Sequence, residues 1–185
     1  MSDYKLVFAL GNPETKYKHT RHNIGKDFLN YFATKNNLEW QIKKDLDISY
    51  IKFDDAILIK PNDFMNVLGP KAEKCLKYFN VTNLANFLVI YDDLDFVVGE
   101  FKLNFAKGSR IHNGLNSIVD QLNRNDFWQL RIGVREDRIP FSVQKAGEDP
   151  SKYVLQILPL SDSKKIIEMF DNSLLTVLST WLSKN

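Results

Sequence analysis

The sequence predicts an α/β fold with a mainly parallel, mixed central sheet and helices on both faces. Two observations carry this. Short runs such as Lys5 to Leu10 and Phe87 to Tyr91 are almost wholly apolar, the composition of strands buried on both faces. They alternate with segments whose apolar residues recur at helical spacing. No repeat, low-complexity tract or linker divides two cores, so a single domain is expected over residues 1–185.

The elements follow in order. Lys5 to Leu10 runs into Gly11-Asn12-Pro13, a strand and its turn. Ile24, Phe28, Leu29 and Phe32 mark a helix. Ile48 to Phe53 alternates, Asp54-Asp55 reads as a turn, and Ala56 to Ile59 completes a hairpin that Pro61 ends. Ala72, Cys75, Leu76 and Phe79 give a second helix. Phe87 to Tyr91 is a buried strand closed by Asp92-Asp93-Leu94-Asp95. Phe101 to Phe105 is strand-like, Leu115 to Leu122 helical, and Trp128 to Val134 a further strand. Residues 135–152 are polar and lack a clear period, which suggests a loop or lid. A C-terminal helix is expected over about residues 163–182.

Composition excludes several classes. Hydrophobic residues make up 44% and charged residues 26%, ordinary for a globular protein. No apolar run approaches the roughly 20 residues of a membrane span. With 25 Lys+Arg against 23 Asp+Glu, the net charge of +2 requires any nucleic-acid contact to come from a local patch. Cys75 is the only cysteine, and the N-terminus runs straight into a strand, so a cytoplasmic location is expected.

In an open parallel sheet, ligands sit beyond the carboxyl ends of the strands. Asn12, the stretch Lys60 to Asn66 and Asp92 follow three strands, while Thr20-Arg21-His22-Asn23 and His112-Asn113-Gly114 precede helices. One rim would thus gather a histidine, an aspartate and several asparagines. Each has a bland alternative. His22 could be a satisfied core histidine. Asp92, Asp93 and Asp95 could be a solvated strand end, with Asp93 and Asp95 on one face and Asp92 on the other. Asn66 and Asn113 could be helix N-caps.

The order of these clusters resembles the bacterial-type peptidyl-tRNA hydrolase family. The likeness runs through Gly11-Asn12-Pro13, Tyr17 and Thr20-Arg21-His22-Asn23-Ile24-Gly25. It continues with Lys60-Pro61, Phe64-Met65-Asn66, Gly69, Asp92-Asp93-Leu94-Asp95 and Gly99. It closes with His112-Asn113-Gly114-Leu115 and Leu130-Arg131-Ile132-Gly133. The resemblance implies hydrolysis of the ester joining a peptide to the 3′ end of tRNA, recycling tRNA from stalled ribosomes. It implies His22 as the base that activates water, with Asp92 supporting it. It makes Asn12, Asn66 and Asn113 substrate ligands, with Tyr17 and Asn23 lining the same site. Lys102 and Arg131 match positions that hold tRNA phosphates, and Lys107 and Arg110 lie close to further ones. A monomer with no cofactor, metal or membrane partner is implied.

These residue types suit the chemistry. A neutral imidazole is plentiful at pH 7. A carboxylate on its far nitrogen fixes the tautomer and stabilises the imidazolium. Asparagine amides can donate to a developing oxyanion. A non-catalytic RNA-binding relative is the alternative, disfavoured by the retained His22 and three asparagines. A metal-dependent phosphohydrolase using Asp92, Asp93 and Asp95 is disfavoured because the sequence shows no His/Glu cluster at metal spacing. The chain departs from the family pattern at Arg110-Ile111, where two glycines are usual, and at Leu68, Val98 and residues 135–138. Arg110 is expected to add a phosphate contact there.

Overall fold

A seven-stranded mixed sheet organises the chain, in the order β2-β3-β4-β1-β5-β7-β6. The computed structural model describes residues 4–106, 112–137, 147 and 149–184. The strands are β1 (Lys5–Ala9), β2 (Gln41–Lys43), β3 (Ile48–Phe53), β4 (Ala56–Pro61), β5 (Phe87–Val97), β6 (Phe101–Phe105) and β7 (Trp128–Arg135). β4, β1, β5 and β7 run parallel to their neighbours in the middle of the sheet. β2, β3 and β6 pair antiparallel at the margins. The sheet is thus parallel only at its centre, because antiparallel strands extend both edges. Asp54 turns the β3–β4 hairpin with φ +52°, a conformation that aspartate tolerates.

Strand parity sorts the core into two layers. Val7, Ala9, Leu88, Ile90, Leu130 and Ile132 face helix α2 (Ile24–Lys35) and the C-terminal helical segment. Leu6, Phe8, Phe87, Val89 and Tyr91 face α3 (Leu68–Tyr78) and α4 (Asn113–Leu122). Successive side chains point to opposite faces, so apolar runs serve both layers. The C-terminal segment comprises α6 (Leu160–Met169), a π-helical turn over Phe170–Leu174 and α7 (Leu175–Ser183). It begins a few residues earlier than its apolar period indicates.

Two expectations need correction, and β2 is a further strand. Asp92-Asp93-Leu94-Asp95 does not close β5, which continues to Val97. Its polar extension is held by β7, where Arg135 Nε donates to the Leu94 carbonyl at 3.0 Å. β2 carried no clear sequence signal, being short and largely exposed. The irregular stretch of 135–152 is trimmed at both ends, since Arg135 belongs to β7 and Pro150–Tyr153 forms a short helix, α5. Residues 138–146 and 148 of the expected lid lie outside the described residues, as do Lys107, Arg110 and Ile111.

Two close approaches position the rim. A Cβ on Gly25 would stand 2.7 Å from the Ile90 carbonyl oxygen, so α2 sits directly against β5. A Cβ on Gly114 would stand 2.3 Å from Met65 Sδ, so the turn over Met65–Val67 packs on the start of α4. Among the described residues, no helix is long and apolar enough to cross a membrane.

Candidate active site

The turn over Arg21–Asn23 packs against β5 at Asp92. Asp92 shares the strand face of Ile90 and therefore points towards α2. There its Oδ1 accepts from His22 Nδ1 at 2.7 Å. The same oxygen accepts from His112 Nε2 at 2.9 Å. His112 precedes α4, and its Nδ1 accepts from the backbone N–H of Leu115 at 3.2 Å. In the neutral ring that leaves the proton on Nε2, aimed at Asp92. His22 likewise directs Nδ1–H to the carboxylate, which leaves Nε2 as its basic nitrogen. Asp92 is 2% exposed. Burial opposes its charge, but His22 and His112 outweigh that cost and hold the carboxyl well below the usual carboxylate range. The site therefore keeps a fixed anion behind the His22 imidazole.

The sequence assigns no role to His112, nor to His19. The ligating atom of His112, with those of His22 and Asp92, falls within a 4.8 Å cluster that linear spacing did not reveal. The contacts have hydrogen-bond lengths, shorter than the roughly 3.3 Å between donors on a tetrahedral zinc at ~2.0–2.1 Å. The segment before His22 is anchored from behind. Buried Arg21 stacks on the Tyr153 ring at 4.1 Å and pairs with Glu136 at 2.6 Å. The backbone N–H of His22 donates to the Val154 carbonyl at 2.8 Å.

Asn12 and Asn23 interlock beside this triad. Asn23 Oδ1 accepts from Asn12 N at 2.9 Å, and its Nδ2 donates to the Asn12 carbonyl at 3.0 Å. Asn23 is 0% exposed, so it braces the site instead of lining it as expected. Asn12 Oδ1 accepts from Met65 N at 3.0 Å, which fixes the amide's orientation and leaves Nδ2 as its donor group. Lys26 Nζ donates to the Asn12 and Pro61 carbonyls, each at 2.7 Å.

Asn66 and Asn113 are exposed, and neither side chain makes a hydrogen bond among the described residues. The packing of Met65 on Gly114 brings their two turns together. Neither acts as an N-cap: Asn66 lies inside its turn, and the cap of α4 is His112. Tyr17 stands nearby with its ring edge-on to Phe64, centroids 6.2 Å apart.

Of the expected phosphate contacts, Lys102 is exposed on β6 opposite Arg131 on β7. Arg131 itself is committed. Its guanidinium pairs with Asp93 at 2.6 Å and Asp95 at 3.0 Å, so it presents little uncompensated charge. The alternation of the three aspartates thus has a purpose: Asp92 serves the histidines, while Asp93 and Asp95 serve Arg131. Lys26 was also missed. Its spacing to Leu29 and Ala33 puts it on the buried stripe of α2, a signal that its charge obscured.

Fold and site together define an α/β protein with a buried imidazole–carboxylate pair against its central sheet. A family model described as peptidyl-tRNA hydrolase matches residues 6–185. The peptidyl-tRNA hydrolase of Pseudothermotoga lettingae is 34% identical, over 97% of this chain and 93% of its own. That of Shouchella clausii is 39% identical, over 70% of this chain and 71% of its own. The crystal structure of peptidyl-tRNA hydrolase from Acinetobacter baumannii superposes with a TM-score of 0.83 at 26% identity, covering 98% of this chain and 90% of that one. The chain belongs to the peptidyl-tRNA hydrolase family.

Proposed function

We propose that this protein hydrolyses the ester between a peptide, or an N-blocked amino acid, and the 3′ end of tRNA. The observation that carries the reading is the 2.7 Å bond from His22 Nδ1 to the buried Asp92 carboxylate, with His22 Nε2 left as a base. Nε2 takes a proton from water as the water oxygen bonds to the ester carbonyl carbon. The bond to the ribose oxygen then breaks, and the imidazolium returns the proton to that oxygen. Asp92 stabilises the imidazolium, and His112 shares the same carboxylate. The Asn12 amide, fixed through its Oδ1, has Nδ2 to offer the carbonyl. Asn66 and Asn113 have both amide groups available for the peptide backbone or the terminal ribose. A general base is worth roughly 10²–10⁴-fold, and one oxyanion donor about 10²–10³-fold.

Lys102 supplies a tRNA phosphate contact at the far edge of the sheet, with Arg131 a weaker contributor because Asp93 and Asp95 offset it. We include Lys107 and Arg110 in the same patch on sequence grounds alone. The protein acts as a metal-free cytoplasmic monomer in this reading, and residues 1–185 form one domain. The test is release of tRNA from N-blocked aminoacyl-tRNA by wild type and His22→Ala, with and without chelator. Turnover should fall at least about 10²-fold in the variant and ignore the chelator. Full activity in His22→Ala would sink the scheme, and chelator-sensitive turnover would favour an ion on His22, Asp92 and His112.

A further inference from the structure

Lys26, on α2, is 1% exposed. A buried lysine is costly unless its ammonium is hydrogen-bonded. Here it has two carbonyl acceptors, and both belong to loops at the rim. One is Asn12, after β1; the other is Pro61, at the end of β4. The Asn12 backbone has few other holds, since its N–H and carbonyl otherwise meet only the Asn23 amide among the described residues. The lysine stem also fills the space beside Gly11, where a Cβ would stand 3.0 Å from Lys26 Cδ and Cε.

We propose that Lys26 is a positioning residue for this site: its ammonium ties the Asn12 loop to the end of β4, and its charge state sets how firmly the Asn12 amide is held for the ester. The inference rests on the hydrolase reading above. It deepens that reading by adding a group that touches neither substrate nor water.

The electrostatic setting makes this tie sensitive to pH. Burial pulls the Lys26 ammonium down to about 8, well below the usual lysine value. Glu14 on α1, Asp27 on α2 and Asp63 after β4 favour its charge, while Lys60 on β4 opposes it. Lys60 is itself held by Glu14 at 2.8 Å and Asn30 at 2.6 Å. A neutral amine still has donors for both carbonyls, but without charge assistance such bonds are roughly half as strong. The tie should therefore loosen as pH rises through about 8. In the unfolded chain the lysine keeps its proton up to ~10.4. Between those values the unfolded state binds more protons, so the Lys26 contribution to global stability rises with pH while the tie weakens. Loss of function at alkaline pH would thus not be loss of fold.

Three measurements test this. In Lys26→Met the Met65 amide, which donates to Asn12 Oδ1, should exchange with solvent at least about tenfold faster. The kcat of Lys26→Met should fall about tenfold, with the dissociation constant for deacylated tRNA within about twofold of wild type. The wild-type kcat should show a downward step near pH 8 that Lys26→Met lacks, and Lys26→Gln, retaining a neutral donor, should fall between the two. Where Lys26→Met does not fold, the wild type still decides: Met65 protection, corrected for intrinsic exchange, should step down near pH 8. Unchanged Met65 exchange, or the same pH profile in both proteins, would overturn the proposal. So would a drop in kcat matched by an equal loss of tRNA affinity, the mark of general damage. If wild type releases no tRNA at all, the hydrolase reading fails, and the exchange measurements still settle whether Lys26 holds Asn12.

Discussion

The two sides of the rim use asparagine in opposite ways. On the α2 side, Asn23 is sealed from solvent, with its amide spent on the backbone of Asn12, and Lys26 holds the same backbone from below. On the α4 side, Asn66 and Asn113 are exposed, with amides that meet no partner among the described residues. His22, Asp92 and His112 lie between them. One side is a rigid brace and the other is available to a ligand. The lesson is that asparagines of similar appearance in the sequence differ in whether their amides are spent within the protein, and only their neighbours in space separate them.

The comparison can be broken experimentally, and the largest effect belongs to its centre. His22→Ala should lower turnover at least about 10²-fold, and Asp92→Asn should cost less while leaving the base in place. Asp92 also predicts acid behaviour. Its folded carboxyl lies below the ordinary value, so its contribution to stability is complete above about pH 4 and is lost as pH falls towards its folded value. Acid-unfolding curves of Asp92→Asn should lack that component; curves that match wild type would contradict it.

Next comes the brace. Asn23→Ala strips partners from the Asn12 N–H and carbonyl, which should cost about 1–3 kcal/mol in denaturant unfolding and reduce turnover as well. A variant of wild-type stability would show that Asn23 braces nothing. On the open side, Asn113→Ala should stay within about 0.5 kcal/mol of wild type and still lose activity in steady-state assays. Loss of stability there would mean that this amide, too, is structural. The smallest effects are expected of the basic residues, with Lys102→Ala the larger of two. Removing one phosphate contact should flatten the log–log salt dependence of tRNA binding by roughly 0.7–0.9. Arg131→Ala should do less, because two aspartates already offset its charge.

A second contrast concerns how charge is spent. Asp93 is buried beside Asp92, yet Arg131 answers it instead of a histidine. Burial raises the Asp93 carboxyl, and the Arg131 bonds only partly offset that, the reverse of the balance at Asp92. Adjacent aspartates on one strand therefore face different partners because successive side chains point to opposite faces.

Much of the architecture was legible in the chain. Apolar runs that serve two core layers announce central strands, and the hydrophobic stripes of α2 and α3 announce helices, because both patterns follow from local geometry. The ordered motifs carrying Asn12, His22, Asn66, Asp92 and Asn113 were also readable, since in each a polar residue interrupts or borders an apolar pattern. What tertiary structure decided was pairing. His112 meets Asp92 across the join of α4 and β5, Lys26 meets the carbonyls of Asn12 and Pro61, and Arg131 meets Asp93 and Asp95. Hydrogen bonds and ion pairs act over about 3 Å in space, and sequence separation carries no information about which distant groups come that close.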